Sequence, residues 1–145
     1  MKAVLQRVKK ASVVINGEVH SSINSGILIL FCVQKGDTRD KIDWFVKKIL
    51  SLRCFDDDNG KMNKSLSDIC GEIMVVSQFT LAADCKKGTR PSFDNAENPD
   101  IANAMYEEFV CKLKQSNLVV KNGVFAAMME VELVNDGPVT FVLEK

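Results

Sequence analysis

The sequence predicts an α+β fold in which largely antiparallel sheets carry two main α-helices. Two observations lead there. Apolar residues recur in alternation, or in short continuous runs, over about six segments, and at the helical period of about 3.6 over two others. Turn signals, Asn16-Gly17 above all, join neighbouring apolar segments as hairpins, which pair antiparallel. The 145 residues suit one domain, residues 1–145, with a single sizeable core, and there is no internal repeat, linker or low-complexity stretch.

Each element has its own justification. Residues 2–8 alternate weakly and read as a strand; the run from Ser12 to His20 holds Asn16-Gly17 between apolar residues and reads as a hairpin. Gly26 to Val33 is a continuous apolar run bounded by turn residues, the pattern of a buried strand. From Thr38 to Arg53 the period changes: Ile42, Phe45, Val46, Ile49 and Leu50 form one helical face, with Asp37 or Thr38 as candidate caps. Residues 55–72 are polar and turn-rich, and read as a loop whose aspartates do not match a calcium-binding register. A strand is expected over 73–81. Asn98 and Pro99 then start a second helix, striped by Ile101, Met105, Phe109 and Leu113. After Gly123, residues 126–134 alternate as a strand; Asn135 to Pro138 reads as a turn and 139–144 as the last strand.

Composition narrows the class. Hydrophobic residues make up 46% and charged residues 26%, the balance of an ordinary globular protein. No apolar run approaches the roughly 20 residues of a membrane helix, and the first residues lack the apolar stretch of a signal peptide. The expectation is a cytoplasmic protein. Five cysteines, irregularly spaced and without a CxxC pair, read as reduced, buried thiols. A formal net charge of zero argues against unselective binding of nucleic acid, although Lys86, Lys87 and Arg90 form a local basic patch.

The familiar catalytic groups are scarce. His20 is the only histidine and sits just past a hairpin turn. No cysteine spacing suits zinc, no serine has a GxSxG setting, and there is no Walker loop or GxGxxG. The reading is of a protein without metal or cofactor. What stands out is Ser77-Gln78-Phe79-Thr80 at the end of the expected strand. Strand alternation would put Gln78 and Thr80 on one face and Ser77 and Phe79 on the other. A strand that runs out of pairing there exposes the N–H groups of Phe79 and Thr80, which can hold an oxyanion. Capping of the strand end by its own hydroxyls is the alternative. The second unusual stretch, Asn135-Asp136-Gly137-Pro138-Val139-Thr140, is either a plain hairpin turn or a rigid wall of carbonyls built on a cis Gly-Pro bond.

Ser77-Gln78-Phe79-Thr80-Leu81 together with Asn135-Asp136-Gly137-Pro138-Val139-Thr140 resembles the D-aminoacyl-tRNA deacylases of the D-tyrosyl-tRNA deacylase type. The start MKAVLQRVKKASV, the loop KKGTRPSF and the chain length also look like that family, so the resemblance spans essentially the whole chain. One departure is visible. The family's usual Phe-Gly-Ala reads Phe125-Ala126-Ala127 here.

The resemblance implies a barrel-like core and a homodimer in which the Ser77–Leu81 motif of one subunit faces Gly137-Pro138 of the other. It implies hydrolysis, without metal or cofactor, of the ester in D-aminoacyl-tRNA and in glycyl-tRNA mischarged on tRNA(Ala). This is chiral proofreading, with a cis Gly137-Pro138 bond rejecting L-amino acids. On that reading the N–H groups of Phe79 and Thr80 hold the carbonyl oxygen. Ser77 and Gln78 shape the pocket, Thr80 helps place the α-amino end, and the substrate's ribose 2′-hydroxyl assists attack. Arg7 anchors the Gly-Pro loop with Asn135 beside it, Phe125 and Ala126 support the site, and Lys86, Lys87 and Arg90 contact tRNA phosphates. Two rivals are a non-catalytic RNA-binding module, for which ten aromatics are poor stacking material, and a small-metabolite enzyme with its site at an interface.

Overall fold

A computed structural model describes all residues, 1–145. Its centre is one long strand, β1 (Lys2–Ile15), which turns at Asn16-Gly17 into β2 (Glu18–Ile23). Both turn residues have positive φ, 52° and 81°, as a two-residue hairpin with right-twisted strands demands. A bend at Asn24-Ser25 leads into β3 (Gly26–Cys32). β3 pairs with the first half of β1 and β2 with the second half, both antiparallel. The last strand, β8 (Glu130–Glu144), takes the opposite edge of β1 along nearly its whole length.

The other two strands of this sheet join it in parallel. β3 pairs with β6 (Glu72–Ser77), and β6 with β7 (Val120–Asn122). The largely antiparallel expectation therefore holds: β1 pairs antiparallel with β2, β3 and β8, and only the β3-β6-β7 end of the sheet is parallel. The two helices are the reason: α1 (Asp40–Ser51) lies between β3 and β6, and α3 (Pro99–Lys114) between β6 and β7. A strand returning through a helix re-enters the sheet parallel. The sheet curls until β2 comes back to β6 and β7. Ser21 Oγ donates to the Asn122 carbonyl at 3.1 Å, and the Asn24 N–H donates to the Glu72 carboxylate at 2.7 Å. The result is the barrel-like core expected.

Two apolar cores follow from strand alternation. Val8, Ala11, Val13, Ile23, Leu28, Met74 and Val76 fill the concave face. Leu5, Ile27, Ile29, Phe31, Ile73 and Val75 face outward and are covered by Ile42, Phe45 and Ile49 of α1 and Met105, Phe109 and Leu113 of α3. Ile101, expected in the α3 stripe, is exposed; Tyr106 and Val110 are buried in its stead. Residues 55–72, expected as a loop, hold a small hairpin, β4 (Phe55–Asp56) with β5 (Met62–Lys64), and one turn of helix, α2 (Leu66–Ile69), started by a Ser65–Asp68 capping box. No helix is long and apolar enough to cross a membrane.

Gly26 shows how closely β3 and β6 are packed. A Cβ there would lie 1.8 Å from the Glu72 carbonyl oxygen and 2.7 Å from its carbonyl carbon, both backbone atoms that cannot move aside. Gly26→Ala is expected to lower stability by about 3 kcal/mol or more, read as the shift of the urea unfolding midpoint; an unchanged midpoint would contradict the packing.

Neither expected cap serves α1, whose N-cap is Arg39 with no side-chain bond. Asp37 is otherwise engaged. Its nearly buried carboxylate meets the Met1 ammonium at 2.5 Å and Lys41 Nζ at 2.7 Å, and accepts the Gln34 N–H at 2.7 Å. Burial alone would raise its pKa, but the bonds from Lys41, the Met1 ammonium and Gln34 outweigh that and hold it below the usual carboxylate value. A depressed folded-state pKa contributes stability above the unfolded value, which is lost as pH falls through it. Asp37→Asn should therefore cost about 3 kcal/mol at neutral pH and flatten the loss of stability between about pH 5 and pH 3. Denaturant titrations of both proteins across that range would show it, and parallel pH profiles would refute it.

Candidate active site

β6 ends sooner than its sequence suggests. Its last residue is Ser77, and the Gln78 N–H makes a final bond to the Phe31 carbonyl at 2.8 Å. The chain then winds into a 3-10 turn, Phe79–Ala82. The expected face pairing across 73–81 is thus overturned beyond Ser77, because there is no pleat there. Gln78 and Thr80 meet all the same, since the turn brings Gln78 Nε2 to 2.5 Å from Thr80 Oγ1. Inside the turn, Leu81 N–H bonds to the Gln78 carbonyl at 3.2 Å and Ala83 N–H to the Thr80 carbonyl at 3.1 Å. The N–H groups of Phe79 and Thr80 open the turn and take no carbonyl partner, as the first donors of a helical turn must. They form an adjacent pair of free donors at the surface. The Tyr106 hydroxyl, donating to the Val75 carbonyl at 3.0 Å, steadies the strand that delivers them.

The second motif is not the turn between two strands that its sequence suggests. β8 runs through it, with Asn135 opposite Val8 and Thr140 opposite Gln6 on β1. Residues 136–139 bulge out across from Arg7 alone. The Gly137–Pro138 bond is cis, and Gly137 has φ 138°, a conformation only glycine takes freely. A Cβ on Gly137 would meet Val139 N at 2.9 Å and Val139 Cγ2 at 2.6 Å.

Two side chains hold the bulge. Asn135 Oδ1 accepts the Val139 N–H at 2.8 Å, and its Nδ2 donates to Thr140 Oγ1 at 3.1 Å. Arg7, nearly buried, donates from Nε to the Asp136 carbonyl at 2.9 Å and from Nη1 to the Cys54 carbonyl at 2.8 Å. It also lies 3.4 Å from Asp56 and 3.5 Å from the Asp136 carboxylate. Cys54 and Asp56 carried no signal in the sequence, because their contact with Arg7 bridges some fifty residues of chain.

The supporting positions also have reasons. Val124 to Ala127 form a turn closed by the Ala127 N–H on the Val124 carbonyl at 3.3 Å, and Ala126 sits at φ 59°. That third position of the turn asks for a left-handed residue, so a glycine would fit it more easily than the alanine here. Phe125 is half-buried with its ring 5.9 Å from Tyr106. Lys86, Lys87 and Arg90 are exposed on a loop that leaves the 3-10 turn and is closed by a bridge between Asp84 and Ser92. Of the five cysteines only Cys32 and Cys54 are buried; Cys70, Cys85 and Cys111 are exposed, so the expectation of buried thiols fails for three. Burial pushes the Cys54 thiol up to about 11 against the pull of Arg7, which leaves it a packing group.

One chain does not bring the two motifs together. Ser77 pairs with Phe31, and Phe31 with Ala3, whereas Gly137-Pro138 projects across from Arg7. The difference of four residues along β1 is about 13 Å from strand rise alone.

Residues 4–144 match the family model described as D-Tyr-tRNA(Tyr) deacylase. The chain belongs to this family. Among curated relatives, the D-aminoacyl-tRNA deacylase of Exiguobacterium sibiricum is 51% identical over 145 residues, 100% of each chain. That of Aquifex aeolicus is 53% identical over 144 residues, 99% of this chain and 97% of the other. A solved structure of a c-Myc DNA unwinding element binding protein superposes with a TM-score of 0.94 at 43% identity, covering 100% of this chain and 99% of that one. A probable eukaryotic D-amino acid tRNA deacylase shares the fold at a TM-score of 0.82 and 16% identity, over 98% of this chain and 97% of that one. Both solved structures thus share this chain's α+β fold from end to end.

Proposed function

We propose that this chain is a D-aminoacyl-tRNA deacylase that works in the cytoplasm as a homodimer and also hydrolyses glycyl-tRNA. The observation that carries the reading is the pair of free N–H groups at Phe79 and Thr80, presented at a strand end with Gln78 and Ser77 beside them. Two donors can hold the ester carbonyl oxygen as it gains charge. Water then adds to the carbonyl carbon, and the bond to the ribose 3′ oxygen breaks. The water's protons end on that oxygen and on the released amino acid. The ribose 2′-hydroxyl relays one of them, which suits a site without an ionisable side chain among Ser77 to Thr80. An aminoacyl ester is already activated, so alignment and oxyanion stabilisation suffice. Gln78 and Ser77 bound the pocket and Thr80 lies by the α-amino group.

The separation of the motifs supports the dimer. Gly137 and Pro138 are exposed, and the bulge that carries them is braced by Arg7 and Asn135. A second copy places them against Ser77–Leu81. There the rigid wall excludes the Cβ of an L-residue.

The test is deacylation of D-Tyr-tRNA and L-Tyr-tRNA by the purified protein, with and without Thr80→Ala. D-Tyr-tRNA should be cleaved and L-Tyr-tRNA spared. The variant should be slower without any acyl-enzyme in either protein, because a nucleophilic hydroxyl needs an adjacent base. An aminoacyl group trapped on Thr80, or no cleavage of D-Tyr-tRNA, would sink the reading.

A further inference from the structure

Two phenylalanines stand at the lip of the 3-10 turn. Phe79 is 58% exposed and Phe93 40% exposed, and their rings lie 5.1 Å apart at an interplanar angle of 58°. Neither belongs to the apolar cores. Phe93 is held in place by its backbone: the Ala96 N–H bonds to its carbonyl at 2.9 Å, and the Lys35 N–H bonds to the Asn95 carbonyl at 3.0 Å. The backbone that carries the ring is thus held, while the ring packs on Phe79 and stays partly in water. The loop between the two rings is closed by Asp84 and Ser92 and carries Lys86, Lys87 and Arg90. None of these three cations makes an ion pair within the chain.

An exposed aromatic pair beside unpaired cations is how proteins hold single-stranded nucleic acid: a base stacks on the ring and the flanking phosphates meet the cations. The place matters as much as the composition. Phe79 carries one of the two free N–H groups, so the lip borders the place where a terminal ester would sit on those donors.

We propose that Phe93, with Phe79, stacks a base just before the terminal adenosine of the tRNA 3′ end, and that Lys86, Lys87 and Arg90 contact the phosphates around it. This rests on the ester-hydrolysis reading above and adds to it a subsite for the unpaired nucleotides. It also accounts for how a chain of zero net charge holds a polyanion: the contact is local.

The experiment compares two substrates, D-Tyr-tRNA and the minimal ester 3′-O-D-tyrosyl-adenosine, which lacks the preceding nucleotides. The readout is the ratio of their kcat/KM values for the wild type, Phe93→Leu and Phe93→Trp. Phe93→Leu should lower the preference for the tRNA about tenfold, mainly through KM, and Phe93→Trp should restore it. Lys87→Ala should make KM for the tRNA less steeply dependent on salt. A ratio unchanged by Phe93→Leu, in a wild type that cleaves both esters, overturns the subsite alone. So does a Phe93→Leu protein that sediments as a monomer, since the ring would then serve a subunit contact. A wild type that cleaves neither ester overturns the hydrolase reading itself.

Discussion

Two inactive variants, mixed, should recover about a quarter of wild-type turnover if each site draws on both subunits. The first is Thr80→Pro. Proline is tolerated in the first turn of a helix but has no N–H, so the change removes one of the two free donors and the Gln78–Thr80 contact. Loss of one oxyanion donor lowers turnover by about a hundredfold to a thousandfold. The second is Gly137→Ala, whose Cβ meets Val139 at 2.6 Å and 2.9 Å and whose φ of 138° an alanine does not take. In a mixed dimer one site combines the intact Ser77–Leu81 of one subunit with the intact Gly137-Pro138 of the other. The second site carries both defects. Random pairing makes about half the dimers mixed, with one good site in each. Co-refolding equal amounts of the two tagged chains and assaying D-Tyr-tRNA gives the answer. Activity no greater than the mean of the two variants would mean that each site lies within one chain, against the separation along β1.

The substrate panel should show an equally large contrast. A wall of backbone selects by excluding a Cβ on one side, and does not need to grip a side chain on the other. Glycyl-, D-tyrosyl- and D-aspartyl-tRNA should all be hydrolysed, since glycine has no Cβ and the two D side chains point outward. L-Tyr-tRNA should survive the same time course with at least about a hundredfold slower loss, the difference that some 3 kcal/mol of steric conflict makes. Arg7 and Asn135 brace the Gly137-Pro138 bulge through bonds to the Asp136 carbonyl and the Val139 N–H, as such a wall would require. If glycyl-tRNA is spared while D-Tyr-tRNA is cleaved, the site recognises the side chain positively and the exclusion mechanism fails.

The family and the two motifs were legible because each is a local run of residues whose types are unusual together: hydroxyl, amide, aromatic and hydroxyl after a buried strand, and Asn-Asp-Gly-Pro between two others. The hairpin at Asn16-Gly17 and both main helices were legible for the same reason, since a turn type or an apolar stripe is encoded within a few neighbouring residues. Residues 55–72 read as loop in the sequence because strands of two or three residues and one turn of helix are too short to show a period.

Local patterns could set which segments become strands and helices, which side chains point inward, and which residue types lie at the two motifs. They could not set the parallel β3-β6-β7 pairing, which depends on helices crossing the sheet between those strands. Nor could they show that Asn135–Thr140 is a bulge: β1 is long enough for both flanking segments to pair along the same edge, so the chain never has to reverse there. The engagement of Asp37 by the Met1 ammonium, and of Arg7 by Cys54 and Asp136, are contacts between residues far apart in sequence. Periodicity within a window carries no information about such partners. The separation of the two motifs along β1 is of the same kind, because distance across a sheet is a property of register and is fixed only when every strand has found its neighbour.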